Sequence, residues 1–253
     1  WFYKEPQVCE NRLEILRKYN PSTPIYGLYG GDPSEANRYR QKLGAYLDDF
    51  YVFDQKRDAN WKWFYGDLMI ADWYSKRGIV LSWDTVLVEQ WDKLIFGPIH
   101  KIFSILRRDQ ILLSGLRPVE EVAQKWEWVS PDHSDRRERY FKFLEHVKEN
   151  FDFDQDPLSC LFIVVCLSRS FLEEYSRVDQ LELGFLEYRV PIYAQIFQTS
   201  FCVDHSFDPW WDDIEPFRQD LALRAVSRHI SRRTMLRHLL NPKGARVFHP
   251  YRE

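Results

Sequence analysis

Residues 84–92 of this 253-residue chain read Asp84-Thr85-Val86-Leu87-Val88-Glu89-Gln90-Trp91-Asp92. Residues 85–88 are apolar or β-branched throughout, which is typical of a strand in the middle of a sheet that helices cover on both faces. Two carboxylates, Glu89 and Asp92, follow the strand at once. Because open α/β sheets bind ligands at the carboxyl ends of their strands, this stretch predicts a fold class and the position of a site together.

Strand-like and helix-like segments alternate along much of the chain. Residues 24–31 read as a short buried strand that runs into a glycine turn, and residues 50–53 and 161–166 read as further strands. Apolar spacing and capping residues predict helices over residues 34–47 and 60–76. The alternation predicts an α/β fold, namely a three-layer α/β/α sandwich around a mostly parallel central sheet.

Residues 98–157 interrupt this alternation. They contain a charged helix around residues 134–150 and two tryptophans, Trp126 and Trp128, that we expect to be exposed. We interpret this region as an insertion beside the sheet. The sequence has no repeat of roughly 20 to 50 residues and no low-complexity tract, which excludes solenoids and propellers.

Composition narrows the class of protein further. Hydrophobic residues make up 45% and charged residues 29% of the chain, as in an ordinary globular domain. No apolar run approaches the roughly 20 residues of a membrane-spanning helix. The four cysteines have no paired short spacing, which favours a reducing compartment, and we expect a cytoplasmic protein.

Positive charge is concentrated near the end of the sequence. The net charge is −3, yet residues 218–252 carry eight arginines and one lysine against a single acid, Asp220. A basic helix is predicted over residues 218–240, with Leu223, Val226 and Ile230 between its arginines. It is either a plain solvated helix or one that lies peripherally on anionic lipid. No nucleic-acid partner is predicted.

Asp92 is the candidate metal ligand. Mg²⁺ and Mn²⁺ prefer oxygen ligands and are commonly held by one or two carboxylates together with substrate phosphates. The alternative is that Asp92 caps the next helix or pairs with a nearby cation, which is what acids at strand ends usually do.

A strand that closes in an acidic motif resembles the Asp-x-Asp element of GT-A glycosyltransferases, which holds the metal and the diphosphate of a sugar nucleotide. Gln90 stands where the first aspartate of that element would lie, so only Asp92 matches fully. Tyr29, Gly30 and Gly31 are similar to the end of the family's first strand, where the nucleotide base lies, and glycines permit close backbone approach there.

The resemblance extends to four further residues. Glu187 lies where inverting members of the family place a catalytic base, and His249 matches a late histidine that completes the metal site. Lys62 and Asp67 lie on a helix that contacts the ribose, base or diphosphate in the family. The simpler alternatives are an ion pair of Glu187 with Arg189, a structural histidine and a solvated helix face.

The resemblance implies one GT-A-like catalytic domain over residues 1–253. Its parts are a nucleotide-binding half (22–96), the helical insertion (97–157), an acceptor-side half (158–217) and the basic helix and tail (218–253). The implied activity is an inverting, Mn²⁺- or Mg²⁺-assisted transfer of a sugar from a nucleotide-diphosphate donor to a glycan, a lipid-linked or a small-molecule acceptor. A nucleotidyltransferase on the same fold and a non-catalytic nucleotide- or carbohydrate-binding module are the alternatives.

Overall fold

The computed structural model describes residues 1–2, 5–179, 182–211, 214–216, 218, 220–225 and 229–251. Helices and strands alternate through the first ninety residues and again after residue 158. The helices are α1 (Pro6–Tyr19), α2 (Ala36–Leu43), α3 (Ala59–Phe64), α4 (Gly66–Lys76), α5 (Ile99–Ile102), α6 (Val119–Val122), α7 (Ser134–Phe151), α8 (Arg169–Tyr175), α9 (Leu186–Ile196) and α10 (Arg232–Leu240). The strands are β1 (Tyr26–Tyr29), β2 (Asp49–Val52), β3 (Thr85–Val88), β4 (Leu94–Ile95), β5 (Gln110–Leu113), β6 (Arg117–Pro118), β7 (Leu158–Ser159), β8 (Val165–Ser168), β9 (Ser200–Phe201) and β10 (Val247–Phe248).

Side-chain caps fix where several helices begin. Asp58 accepts a hydrogen bond from the Trp61 backbone N–H at 2.7 Å, and Ser168 and Ser231 cap α8 and α10 in the same way. The predicted helix over residues 60–76 is instead two helices, because Tyr65 leaves the helical region with φ −130° and ψ 33°. The predicted helix over residues 34–47 is likewise shorter, with α2 between two turns of 3₁₀-helix.

The largest sheet has the strand order β3-β8-β5-β9. Strand β8 runs antiparallel to both of its neighbours, with Val88 opposite Val165 and Leu113 opposite the same residue, and only the β5–β9 pair is parallel. The prediction of a mostly parallel central sheet is therefore wrong. An apolar run indicates that a strand is buried on both faces, but it carries no information about the direction of its neighbours.

Strand β5 lies inside the region that we interpreted as an insertion. Its residues Ile111, Leu112 and Leu113 are buried and pair with β8, so this region supplies a strand of the main sheet. Strands β1 and β2 form a separate parallel pair joined through α2, as the alternation predicts. The described residues thus form a mixed α/β fold with several small sheets.

The two tryptophans that we expected to be exposed belong to the core. Trp126 and Trp128 are each 3% exposed. Trp126 packs on Trp211 with the ring centroids 5.4 Å apart, and Trp128 stacks on Phe185 at 3.8 Å. The prediction failed because both rings find aromatic partners in residues 185–211, far along the sequence.

Within the described part of residues 218–240, the predicted basic helix is helical only over α10. Leu223 and Ile230 are buried, so these apolar residues face the protein core and are unavailable to lipid, while Val226 and Arg228 lie outside the described residues. Among the residues that the structure describes, the helices lack the length and apolar character needed to cross a membrane.

Candidate functional site

The chain turns sharply after β3. Strand β3 spans the residues predicted for it, and the backbone N–H of Lys93 then donates to the carbonyl of Gln90 at 3.1 Å. Lys93 is fully buried, and its Nζ donates to the carbonyls of Val88 and Ile163, with Glu89 Oε2 at 3.4 Å. Burial raises the pKa of Glu89 to about 7 even with this cation beside it. The buried ammonium therefore fixes the turn that presents Asp92.

Asp92 is 8% exposed, and its backbone carbonyl and its side-chain carboxylate have different surroundings. Its backbone carbonyl accepts a hydrogen bond from the Tyr251 N–H at 2.7 Å. Within the described part of the chain, its side-chain atom Oδ1 is buried and accepts no hydrogen bond. The imidazole of His249 lies beside this oxygen, with its Nε2 3.6 Å away. A buried carboxylate oxygen without a donor is costly, which makes this atom a candidate for a missing ligand.

Backbone pairing brings His249 to Asp92. Strand β10 pairs antiparallel with β4, which begins two residues after Asp92, and the Tyr251 N–H continues the contact to the Asp92 carbonyl, so His249 lies close to Asp92. The ring nitrogen Nδ1 of His249 lies 3.0 Å from the carbonyl oxygen of Arg224. A carbonyl only accepts, so Nδ1 carries the proton, and Nε2 of a neutral ring then presents its lone pair toward the carboxylate. A second proton on the ring would give an ion pair with the carboxylate at this distance, and a divalent metal ion is the other cation that both atoms could bind.

The pair meets two requirements of a divalent-metal site. Two atoms that are each about 2.1 Å from one ion lie no more than about 4.2 Å apart, and the 3.6 Å separation satisfies this limit. Metal-bound histidines also donate their second ring N–H to a carbonyl or carboxylate, as Nδ1 does here to Arg224. The described residues contain no group of three or more His, Cys, Asp or Glu that could hold a metal, so phosphate or water oxygens would complete the coordination.

Glu187 and Gln90 meet at the backbone of Phe162. The Phe162 N–H donates to Glu187 Oε1 at 2.9 Å, and the Phe162 carbonyl accepts from Gln90 Nε2 at 2.6 Å. Glu187 itself lies in the first turn of α9, where the helix dipole favours a negative charge. The candidate base and the turn that carries Asp92 are thus joined through one residue.

Burial raises the pKa of Glu187 to about 8, and the charge of Glu127 adds to this rise. The hydrogen bond from the Phe162 N–H acts in the opposite direction but does not cancel it. A general base works best when its pKa lies near the working pH, so this carboxyl is chemically suited to exchange a proton near neutrality.

The end of β1 brings together three of the predicted donor-binding residues. Lys62 Nζ donates to the Gly31 carbonyl at 3.1 Å, and the Tyr29 hydroxyl donates to the carbonyl of Asp32 at 3.0 Å. The Tyr29 side chain is only 1% exposed, so its ring packs in the core and has no open face for a base.

The indole of Trp1 lies against the next glycine of this segment. A Cβ atom at Gly30 would lie 3.2 Å from Trp1 Nε1 and 2.4 Å from Met69 Cε. A Cβ atom at Gly66 would lie 2.2 Å from the same indole. Both glycines therefore allow a close approach, and in this structure a side chain of the protein uses the space.

Asp67 is engaged by protein partners. Its carboxylate accepts hydrogen bonds from Arg189, including Nε at 2.9 Å, and from the Tyr175 hydroxyl. Asp67 and Arg189 are 1% and 0% exposed. A ribose hydroxyl could reach this carboxylate only after the ion pair had opened. Sequence reasoning missed the cluster, although one signal was visible: Arg189 is the only cation in the apolar helix α9.

A cavity of about 420 Å³ lies between β1 and β3. Its lining is mostly apolar and comes from α1, the two strands, Trp73 and Trp83, with Glu89 and Gln90 at the turn. Asp92 and His249 do not line it. The cavity therefore adjoins the turn after β3 without containing the acid–histidine pair.

Comparison with known proteins supports the fold. The solved apo structure of WbbM, a bifunctional glycosyltransferase, is similar to all of this chain with a TM-score of 0.50 and 10% sequence identity. The chain spans 45% of the length of that protein. Neither the models of protein families nor the curated proteins give a match to the sequence. The fold is thus similar to that of a glycosyltransferase.

Proposed function

We propose that the chain transfers a sugar from a nucleotide-diphosphate donor, with a divalent metal held by Asp92 and His249. The observation that carries this proposal is the buried Asp92 Oδ1, which lacks a hydrogen bond among the described residues and faces His249 at the carboxyl end of β3. The similarity of the fold to that of WbbM, a bifunctional glycosyltransferase, agrees with it.

Each of the candidate residues would have a separate role in the transfer. Asp92 and His249 would hold Mn²⁺ or Mg²⁺, which offsets negative charge on the departing nucleotide diphosphate when it is bound. Glu187 would remove the proton from an acceptor hydroxyl as that oxygen attacks the anomeric carbon, and the attack inverts that centre. Gln90 and Phe162 would position Glu187 relative to the metal site through their hydrogen bonds. Lys62, near Gly31, would contribute positive charge toward the donor phosphates.

Turnover of sugar nucleotides tests the proposal directly. A panel of uridine and guanosine diphosphate sugars is incubated with the protein and Mn²⁺, with water or an added saccharide as the acceptor of the sugar, and release of the nucleotide diphosphate is measured. Replacement of Glu187 by Gln should lower turnover by about 10²- to 10⁴-fold while donor affinity is kept. Wild-type turnover should rise with pH as Glu187 loses its proton near pH 8. If Glu187→Gln releases nucleotide as fast as the wild type, Glu187 is not the base.

A non-catalytic module remains the second candidate because Gln90 replaces an acid and uses its amide to bind the Phe162 carbonyl. Such a module would bind a nucleotide or a saccharide without ever releasing a free nucleotide diphosphate from a donor. Metal-dependent release above the uncatalysed rate excludes it.

A further inference from the structure

An exposed indole stands at the end of α3, beside the proposed site. Trp63 is 50% exposed, although tryptophan is usually mostly buried. Its ring contacts those of Phe64, Trp128 and Phe185, with centroid distances of 5.3, 5.4 and 5.7 Å. Trp128 and Phe185 are 3% and 2% exposed, so the indole rests on a buried aromatic floor.

This arrangement holds an apolar surface rigidly in contact with solvent. We call Trp63 and its three supporting rings the Trp63 platform. Because the floor is packed, the indole keeps its orientation, and a ligand that covers it need not order the side chain first. Flat aromatic rings suit the apolar face of a sugar ring, and covering an exposed indole removes apolar surface from water.

Two arginines lie at the edge of the Trp63 platform, and one of them, Arg139, has no acidic partner among the described residues. The Arg136 guanidinium lies over the Trp128 ring at 4.3 Å and pairs with Glu127. The Arg139 guanidinium lies over the Phe64 ring at 5.1 Å and is exposed. Within the described residues, Arg139 forms no ion pair, so its charge is open to a ligand. Arginine is well suited to pair with carboxylate or phosphate groups through its fork of N–H donors.

The platform adjoins the residues that we place in the transfer site. Phe185 immediately precedes α9, whose first turn contains Glu187. Trp63 follows Lys62, whose Nζ reaches the Gly31 carbonyl. A ligand that lies on the indole is therefore next to the segment that carries the proposed base.

We infer that the Trp63 platform binds the acceptor, and that the acceptor is a saccharide with an anionic group. Trp63 stacks on a sugar ring, and Arg139 pairs with a carboxylate or phosphate of the same molecule. That the bound saccharide is the acceptor rests on the proposed function. The binding of an anionic saccharide can be measured without any donor.

The test is a binding titration in the absence of donor and metal. Three probes are compared by the change in intrinsic tryptophan fluorescence: an oligosaccharide that contains glucuronate, a sugar phosphate, and a neutral glucose oligosaccharide. The wild type should bind at least one of the two anionic probes more tightly than the neutral one. The better of the two anionic probes identifies the source of the charge as a carboxylate or a phosphate.

Two variants and one matched control locate the binding surface. Trp63→Ala should weaken binding of the anionic probe by about tenfold or more, and Arg139→Gln should weaken it by a similar factor while leaving the neutral probe unchanged. Phe141→Ala is the control, because Phe141 is 51% exposed and has the Arg137 guanidinium 5.3 Å above its ring, but it has no part in the platform. Isothermal calorimetry supplies the binding signal for Trp63→Ala, which lacks the reporting indole.

Each outcome decides the inference. Equal binding of neutral and anionic probes, an unchanged affinity in Arg139→Gln, or no binding of any probe would overturn it. Should Trp63→Ala fail to fold, the comparison of Arg139→Gln with the wild type still decides. Because donor and metal are left out, failure here leaves the Asp92 site untouched, and failure of that site does not alter this titration.

Discussion

The carboxylates of Asp67 and Asp92 are both buried, yet their surroundings differ completely. Asp67 accepts hydrogen bonds on both oxygens from Arg189 and Tyr175, so the protein itself satisfies its charge. Asp92 Oδ1 has no hydrogen-bond donor within the described residues and faces an imidazole nitrogen. The comparison teaches that burial alone does not identify a ligand-binding acid. An acid that is paired inside the protein stabilises the fold, whereas one whose buried oxygen lacks a donor is a candidate cation ligand.

The largest effect on stability is expected when the ion pair of Asp67 and Arg189 is broken. Replacing Arg189 by Met would leave the Asp67 carboxylate buried without its cation, and we expect the free energy of unfolding to fall by about 3–5 kcal/mol. Urea unfolding followed by circular dichroism measures the change. The matched control is Arg177→Met, which breaks an exposed pair with Glu173 and should cost less than about 1 kcal/mol. Equal losses in the two variants would show that the Asp67 pair does not support the fold.

Some parts of this fold follow from local sequence and others do not. Strand β3 and helix α7 were predicted nearly at their observed bounds, because a buried apolar strand and a charged amphipathic helix are encoded in adjacent residues. The direction of β8 and the place of β5 in the sheet depend on contacts between distant segments, and the sequence predicted neither.

The candidate site could also be predicted only in part from the sequence. The acid after β3 could be identified from its strand, and the resemblance to GT-A enzymes suggested His249 as its partner. The structure places their side chains 3.6 Å apart, and what they bind stays a prediction. The Asp67–Arg189 pair joins residues 122 positions apart, so no local pattern could show that Asp67 already has its partner.

The surroundings of Glu187 are intermediate between those of Asp67 and Asp92, because its carboxylate accepts one backbone hydrogen bond, from the Phe162 N–H. Its pKa is raised above that of an unfolded chain, so the folded state binds the proton more tightly. The stability that this proton linkage contributes is present in full below pH 4.5 and is lost as the pH rises toward about 8.

The pH dependence of stability, compared between Glu187→Gln and the wild type, tests the raised pKa of Glu187. The variant cannot ionise, so the wild type should lose stability relative to it between pH 5 and 8, by about 3 kcal/mol for a pKa raised from 4.5 to about 8. Urea unfolding of both proteins at several pH values measures the difference. A stability difference that stays constant over this range would contradict the raised pKa.

The smallest effect is expected for Asp92 in the absence of metal. Asp92→Asn retains the size of the side chain, and the buried Oδ1 has no hydrogen bond to lose within the described residues. The free energy of unfolding should therefore change by less than about 1 kcal/mol. Urea unfolding in the presence of a chelator measures this change. A loss as large as that in Arg189→Met would mean that Asp92, like Asp67, is a structural acid.

Thermal unfolding with and without Mn²⁺ and a nucleotide diphosphate tests the central claim most directly. A ligand at about 100 times its dissociation constant stabilises the folded state by about 2.7 kcal/mol, which is a rise of roughly 5–10 °C in the unfolding midpoint for a chain of this size. We predict this rise for the wild type, only when Mn²⁺ is present, and its absence in Asp92→Asn and His249→Gln. An equal rise in the wild type and in Asp92→Asn, or a rise that does not require Mn²⁺, would contradict a metal held by Asp92 and His249.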